Sequence, residues 1–275
     1  MISNYGNTMK ILNKYGLNAK KKFGQNFIID PSIVTKIARN CGANSQSLII
    51  EIGPGLGALS EQLAKVARRV DCYEIDSDMV NVLKNELLLD NINVTLIDFL
   101  DVDLGVYGQE ENIIICSNVP YYITTKLLFK IIESNLNYSQ ITFMVQKEMG
   151  QRLFAGVNSS DYNGLSVIMD YLFDRKILMN VPANCFYPRP KVDSVVLNLI
   201  KKNVEVDLDF FAFVKSCFGQ RRKTLYNNLK GLYDSELLNK HLFDLKIRAQ
   251  ELSYQQFYDL YLKLHDKTCK IVVGE

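Results

Sequence analysis

The chain has 275 residues, 48% hydrophobic and 23% charged, with a formal net charge of +2. That length can bury a sizeable core in one large domain or two unequal ones, and the composition is ordinary for a soluble globular protein. No apolar run approaches the ~20 residues needed to span a bilayer, and the N-terminus carries lysines but no apolar stretch of a secretory signal, so a cytoplasmic protein with no membrane partner is expected. Cys41, Cys72, Cys116, Cys185, Cys217 and Cys269 are scattered without a C-x-x-C pair, which reads as reduced, mostly buried thiols. The only histidines, His241 and His265, lie far from any paired cysteine, so no metal site is expected. The small net charge hides an uneven distribution. Residues 1–40 carry seven basic side chains against Asp30 alone, and residues 215–230 carry five against no acid, a pattern compatible with a nucleic-acid footprint or with solvated faces.

In chain order, residues 1–22 are rich in Gly, Asn and Lys and read as a mobile basic arm. The run Phe23-Gly24-Gln25-Asn26-Phe27-Ile28 then reads as a lid or entry segment, before a helix over 31–40 capped by Asp30. A strand over 48–52, the turn Gly53-Pro54-Gly55-Leu56-Gly57 and a helix over 58–69 form the first unit of a doubly wound sheet. A second strand over 70–75 carries Glu74 near its end, where a carboxylate takes both hydroxyls of a ribose. A helix over 78–89, a third strand over 93–97 ending at Asp98, a fourth strand over 112–116, a helix over 124–133 and a fifth strand over 141–146 follow. Such alternation predicts a mostly parallel sheet. Two long β-prone runs, 165–179 and 192–200, have no evident helix between them and predict an antiparallel pair closing the sheet, with Phe186 in the connecting loop. From residue 206 the pattern is helical: 210–230, 235–243 and 253–264, the first carrying Gln220-Arg221-Arg222-Lys223-Thr224. The domains expected are therefore 1–205 and 206–275.

The sharpest chemistry lies in Asn118-Val119-Pro120-Tyr121, which leaves the sheet at the carboxyl end of the fourth strand. In open α/β sheets that edge binds ligands. An exocyclic amine on a planar base needs two acceptors and a ring to stack on; the Asn118 side chain, the Val119 carbonyl and Tyr121 supply them, with Phe186 for the second face. Hydrogen bonds from both amine protons favour a tetrahedral nitrogen and aim its lone pair, so the chemistry is positioning and electrostatics rather than a strong base.

The glycine turn alone is ambiguous. Gly53-x-Gly55-x-x-Ala58, with Glu74 about 21 residues on, fits an NAD fingerprint and equally an S-adenosylmethionine (AdoMet) site. Asp98 at the end of the third strand, where it can accept from an adenine amine, the Asn-Val-Pro-Tyr turn, and the lack of His in the α/β part favour AdoMet.

Eight blocks in order carry a resemblance over almost the whole chain: Lys22-Phe-Gly-Gln-Asn-Phe27, Glu51-Ile-Gly-Pro-Gly-Leu-Gly57, Asn118-Val-Pro-Tyr121, Gln146-Lys-Glu148, Tyr162-Asn-Gly-Leu-Ser166, Phe186-Tyr-Pro-Arg-Pro-Lys-Val-Asp-Ser194, Phe218-Gly-Gln-Arg-Arg-Lys-Thr-Leu225 with Asn227-Asn228, and Arg248-Ala-Gln-Glu-Leu-Ser253. The chain resembles the bacterial small-subunit (16S) ribosomal RNA adenine N6,N6-dimethyltransferases, the family whose loss confers kasugamycin resistance. That resemblance implies a Rossmann-like class I AdoMet-dependent methyltransferase sheet with a small all-α C-terminal domain. It implies dimethylation of two adjacent adenosines in the 3′-terminal hairpin of small-subunit rRNA, four methyl groups in all, late in subunit assembly. Asn26, Ile28, Gly53, Gly55, Glu74, Asp98 and Asn118 match the family's AdoMet-contacting positions; Asn118, Tyr121 and Phe186 match its target-adenine pocket. Arg221, Arg222 and Lys223 are the candidates for RNA contact, and a monomer is expected. Val119 stands where the family more often has Leu, Tyr122 where a polar residue is common, and Ile28 where Leu is usual. Position 119 contributes a carbonyl and Ile is close to Leu in size, so none of these changes the expectation.

The related large-subunit rRNA adenine methyltransferases of macrolide resistance share the glycine turn, the Asn-x-Pro-Tyr turn and the Phe-x-Pro-x-Pro-Lys loop. The block from Phe218 to Leu225 and the C-terminal helices argue against that branch. A third reading is mainly a small-subunit assembly factor, and a fourth an NAD oxidoreductase.

Overall fold

A computed structural model describes residues 2–119, 123–242 and 244–265. The chain divides into two compact units: one formed by residues 1–150 with 175–201, the other by 151–174 with 202–275. The boundary expected at 205/206 thus falls close to the last of these breaks. Residues 151–174, expected with the sheet, belong instead with the C-terminal helices.

In the first unit the elements are α1 (Tyr5–Lys14), β1 (Phe27–Ile28), α2 (Pro31–Asn40), β2 (Leu48–Ile52), α3 (Ser60–Leu63), β3 (Arg69–Glu74), α4 (Ser77–Glu86), β4 (Ile92–Leu96), β5 (Ile113–Asn118), α5 (Thr124–Glu133) and β6 (Tyr138–Gln146). After α6 (Lys147–Phe154) and α7 (Gly164–Leu172), the chain continues into β7 (Phe173–Val181), β8 (Phe186–Tyr187) and β9 (Ser194–Lys201). One seven-stranded sheet has the order β4-β3-β2-β5-β6-β9-β7, and β1 pairs with β8 in a separate two-stranded sheet. Strands β2 to β6 are parallel to their neighbours, and β9 runs antiparallel to β6. The strand runs are apolar at successive positions because helices cover both faces. Ile49, Val70, Cys72, Ile114 and Cys116 share one core with Val34 and Ile37 of α2 and Leu63 of α3, while Leu48, Ile50, Ile113 and Ile115 are equally buried.

Several expectations change. The N-terminal arm is not loose over its first half. Asn4 caps α1 by accepting from Asn7 N, and Ile11 and Leu12 pack on Leu56, Met79 and Val82. The helix expected over 58–69 shortens to α3 and then loosens into turns. The β-prone run 165–179 is half helix. Asn163 accepts from Leu165 N and makes a capping box with Ser166, which nucleates α7, and the chain turns to strand only at Phe173. Val167, Met169 and Leu172 are buried, so the run shows no polar face to betray a 3.6-residue period.

The second unit is helical: α7 with α8 (Leu208–Cys217), α9 (Leu225–Leu229), α10 (Ser235–His241) and α11 (Tyr254–His265). Its core is aromatic: Phe210 meets Tyr171, Tyr258 and Tyr261 at 5.0–5.4 Å between ring centroids. The Tyr162 hydroxyl donates to the Leu252 carbonyl at 2.9 Å. The helix expected over 210–230 breaks after Cys217, because Thr224 caps a new helix by accepting from Asn227 N. The Asn228 side chain bridges the break, donating to the Cys217 carbonyl (2.8 Å) and accepting from Gln220 N (3.0 Å). Arg221, Arg222 and Lys223 therefore sit in a turn rather than on a helix face. Among the described residues no helix is long and apolar enough to cross a membrane. The described cysteines are free thiols, all buried except Cys185; Cys269 lies outside the described residues.

Candidate active site

The carboxyl ends of β4, β3, β2 and β5 lie side by side in that order. Each delivers one sequence-predicted residue: Asp98 just beyond β4, Glu74 ending β3, Gly53 following β2, and Asn118 ending β5. One cavity is lined by all seven residues expected to hold the cofactor, Asn26, Ile28, Gly53, Gly55, Glu74, Asp98 and Asn118. Its walls also include Val119, the expected second acceptor, and Glu51, Tyr73 and Phe99, which the sequence did not single out as site residues.

The glycine turn bends sharply. Gly53, Gly55 and Gly57 have φ of 65°, 58° and 89°, a region that side chains rarely tolerate. At Gly55 a Cβ would meet the Phe27 ring at 3.4 Å, so the turn passes close against that side chain. The Ser117 hydroxyl donates to the Ile52 carbonyl, which ties the end of β5 to the start of the turn.

Glu74 is 4% exposed. One of its carboxylate oxygens accepts from Gly55 N (3.0 Å) and the other from Asp76 N (2.9 Å). Burial pushes this carboxyl up from its ordinary value, and those two N–H donors pull it partly back. A buried carboxylate with one lone pair committed on each oxygen keeps the second pair of each for a vicinal diol. Asp98 uses one oxygen to cap the short helical turn after it, accepting from Leu100 N at 2.9 Å; its other oxygen has no hydrogen bond among the described residues.

At the β5 end, the Asn118 amide nitrogen faces the Asn26 carbonyl at 3.5 Å, and the Asn26 side chain donates to the Gly24 carbonyl at 3.0 Å. An amide that points its nitrogen at Asn26 directs its oxygen elsewhere, as an acceptor for an incoming amine requires. Val119 N donates to the Met144 carbonyl at 3.3 Å, which extends β5 along β6 and fixes the peptide that carries the second acceptor. Tyr121 and Tyr122 lie outside the described residues. Phe186 lies in β8 rather than in a loop. It opposes Ile28 in the β1–β8 pair, is 2% exposed, and belongs to the core with Ile28 and Val34.

Glu51 is the residue that sequence reasoning missed. It interrupts the apolar run of β2 between Ile50 and Ile52, lines the cavity and is 1% exposed. Burial pushes its carboxyl up to about 7; the Cys72 thiol, donating at 3.5 Å, moderates this and the nearby Glu74 charge adds to it. A single Glu in an apolar strand was the available signal.

The basic trio divides. All three side chains are exposed, but Arg221 donates to the Ser159 and Ser160 carbonyls and to the Gln250 side chain.

Residues 16–266 match the family model described as ribosomal RNA adenine dimethylase. The chain belongs to that family. It is 42% identical over 255 residues to the ribosomal RNA small subunit methyltransferase A of Mycoplasmopsis pulmonis, covering 90% of this chain and 100% of that protein. Among solved structures it is similar to a dimethyladenosine transferase from Plasmodium falciparum (TM-score 0.76, 26% identity, 88% of this chain and 98% of that one). It is also similar to the 23S rRNA methyltransferase ErmE (TM-score 0.68, 22% identity, 87% and 100%), a likeness that speaks for the fold alone. The fold is that of a class I methyltransferase.

Proposed function

We propose that the protein transfers methyl groups from AdoMet to the N6 amines of two adjacent adenosines in the 3′-terminal hairpin of 16S rRNA, in the small ribosomal subunit. What carries the reading is one cavity walled by the glycine turn, Glu74, Asp98 and Asn118, in a chain of the rRNA adenine dimethylase family. The donor set suits AdoMet. A carboxylate with a free lone pair on each oxygen meets the ribose, Asp98 offers an acceptor for the cofactor's adenine amine, and a turn with no Cβ lets the methionine end approach backbone. Bound there, AdoMet supplies an electrophilic sulfonium methyl.

The chain's own part is positioning. The Asn118 side-chain oxygen and the Val119 carbonyl accept the two protons of the target amine, and its lone pair turns toward the donor. Tyr121 supplies a stacking face for the flipped base. Phe186, buried against Ile28, holds β1 and thereby Asn26 and Ile28; it offers the base no open face in this conformation. Arg222 and Lys223 contact rRNA phosphates.

Small and large ribosomal subunits lacking these modifications, incubated with labelled AdoMet, test the reading. N6,N6-dimethyladenosine in the small subunit alone, by nucleoside mass spectrometry, is the expected result. Product in the large subunit would move the protein to the other branch, and AdoMet binding without product would leave only the cofactor site. Asn118→Ala separates methylation from a checkpoint role in assembly: a pure enzyme loses function entirely with this change, whereas an assembly factor retains part of it.

A further inference from the structure

The wall of the cavity opposite the sheet comes from the N-terminal segment, through Ile2, Thr8 and the run from Phe23 to Ile28. Regular structure holds that wall at two places only: α1, docked through Ile11 and Leu12, and β1, two residues long. Between them, residues 15–26 contain one short helical turn. Polar contacts fasten this stretch. Lys20 Nζ lies 2.6 Å from Asp76 Oδ1 and 2.6 Å from Asp78 Oδ2. Gln25 Nε2 donates to the other Asp76 oxygen at 2.8 Å, and Gln25 Oε1 accepts from Lys20 N at 2.8 Å. Lys20 and Gln25 thus close a ring on one carboxylate.

That carboxylate lies behind Glu74, which lines the cavity, and is not a surface charge. The Asp76 side chain is 2% exposed, and it caps α4 by accepting from Asp78 N at 3.2 Å. Its own N–H donates to Glu74, whose other oxygen holds Gly55 N. Burial alone raises the Asp76 carboxyl; the hydrogen bonds from Lys20 and Gln25 overcome this and hold it below its ordinary range. A buried anion whose compensating cation arrives from the N-terminal segment couples that segment to the end of β3, since separating them strands a charge.

We propose that Lys20, Gln25 and Asp76 are positioning residues for the methyl donor. They latch the Phe23–Ile28 wall onto the Glu74–Gly55 side of the cavity and so set how fast AdoMet and its demethylated product exchange. This rests on the reading that the cavity holds AdoMet. With four methyl groups to deliver per rRNA, the wall opens and recloses between transfers, and the ion pair sets the ease of opening. Lys20 and Asp76 stand behind the cavity lining and Gln25 within it; they act through Glu74, Asn26 and Ile28.

Lys20→Met, with Lys20→Arg and Gln25→Leu alongside, tests this in the full chain. AdoMet affinity is read by calorimetry, and its release by chase of labelled AdoMet. In Lys20→Met we expect release five- to tenfold faster, KM for AdoMet raised by a similar factor, and kcat within twofold at saturating AdoMet. Lys20→Arg restores most of the affinity, and Gln25→Leu gives a smaller change in the same direction. Raising ionic strength should speed release from the native chain more than from Lys20→Met, which lacks the ion pair. Amide hydrogen exchange on the ligand-free chains adds a readout that needs no cofactor. In Lys20→Met the amides of residues 23–29 exchange faster, while those of β2 and β5 do not. Native chain that binds AdoMet, with Lys20→Met unchanged in release and in exchange, overturns the latch. Native chain that fails to bind AdoMet overturns the proposed function instead, and the exchange comparison still decides whether Lys20 fastens the wall.

Discussion

Replacing Glu51 by Gln should remove a pH-dependent loss of stability. Glu51 sits between Ile50 and Ile52 in β2, is 1% exposed, and its carboxyl is pushed up by burial to about 7 from an ordinary value of 4.5. The folded protein therefore keeps this proton at pH values where the unfolded chain has given it up. Between about 4.5 and 7 the native state binds more protons, so its stability falls as pH rises; the benefit is fully present below the unfolded value and gone above the folded one. The gap between 4.5 and about 7, at 1.36 kcal/mol per pH unit, comes to about 3 kcal/mol. Glu51→Gln keeps an oxygen for the Cys72 thiol and has nothing to ionise. Urea titrations of both proteins from pH 5 to 8.5 isolate the residue and its coupling to Glu74, because groups that do not interact with Glu51 contribute alike to both curves. The difference between the curves should move by about 3 kcal/mol in favour of Glu51→Gln toward alkaline pH, spread over a broad range by the neighbouring Glu74 charge. Parallel curves would mean that Glu51 is ionised in the folded state at neutral pH, and that the floor of the cavity is wetter than its burial implies.

Three other perturbations give separable readouts. A Cβ at Gly57 would stand 2.0 Å from Leu87 Cδ1 and 2.8 Å from Leu83 Cδ2 at φ +89°, so Gly57→Ala should lose about 2 kcal/mol or more from backbone strain and clash; adding Leu87→Ala should recover part of this in thermal melts, and strict additivity would place the whole cost in the backbone. Phe186→Ala should cost about 3–5 kcal/mol as a buried-aromatic truncation, read as a lowered urea midpoint; unchanged stability with lost turnover would return the ring to the target pocket. Replacing Arg222 and Lys223 by Gln should flatten the salt dependence of small-subunit binding by a slope of roughly 1.5–2 with no change in melting, whereas Arg221→Gln, which releases the Ser159 and Ser160 carbonyls, should lower the melting temperature; equal effects on the slope would put all three on RNA.

What was legible in the sequence were the elements whose periodicity or caps are local. The strand Leu48–Ile52 and the helix Thr124–Glu133 emerge with the expected bounds. The acid positions Glu74 and Asp98 follow from strand ends that turn residues mark plainly. Residues 165–179 misled because Val167, Met169 and Leu172 are buried, so that burial erased the period that tells helix from strand. The helix through 218–224 failed for the opposite reason. Its propensity is adequate, but Thr224 and Asn228 satisfy the broken ends with side-chain hydrogen bonds that a periodic pattern does not encode. The arm looked mobile because its two anchoring residues, Ile11 and Leu12, are a small apolar patch in a polar stretch, and their partners Met79 and Val82 are some 70 positions away.

The same long-range logic explains why the site reads more clearly than its fastening. Residues that touch a ligand sit at strand ends, where a sheet's own geometry brings the ends together; once the strand order β4-β3-β2-β5 is set, Asp98, Glu74, Gly53 and Asn118 must converge. Lys20 meets Asp76 across 56 positions, through a segment with little regular structure, so no periodicity or motif spacing announces the contact. Yet the two sets of residues are one device. Glu74 holds the turn at Gly55 and takes its neighbour's N–H at Asp76. Asp76 holds Lys20 and Gln25, and the segment they anchor returns the Asn26 carbonyl to the Asn118 amide. A reaction that relies on aiming a weak nucleophile rather than on a strong base needs both acceptors and donor held to a fraction of an ångström. A chain of contacts running from Glu74 round the wall to Asn118 fits that requirement of the proposed reaction.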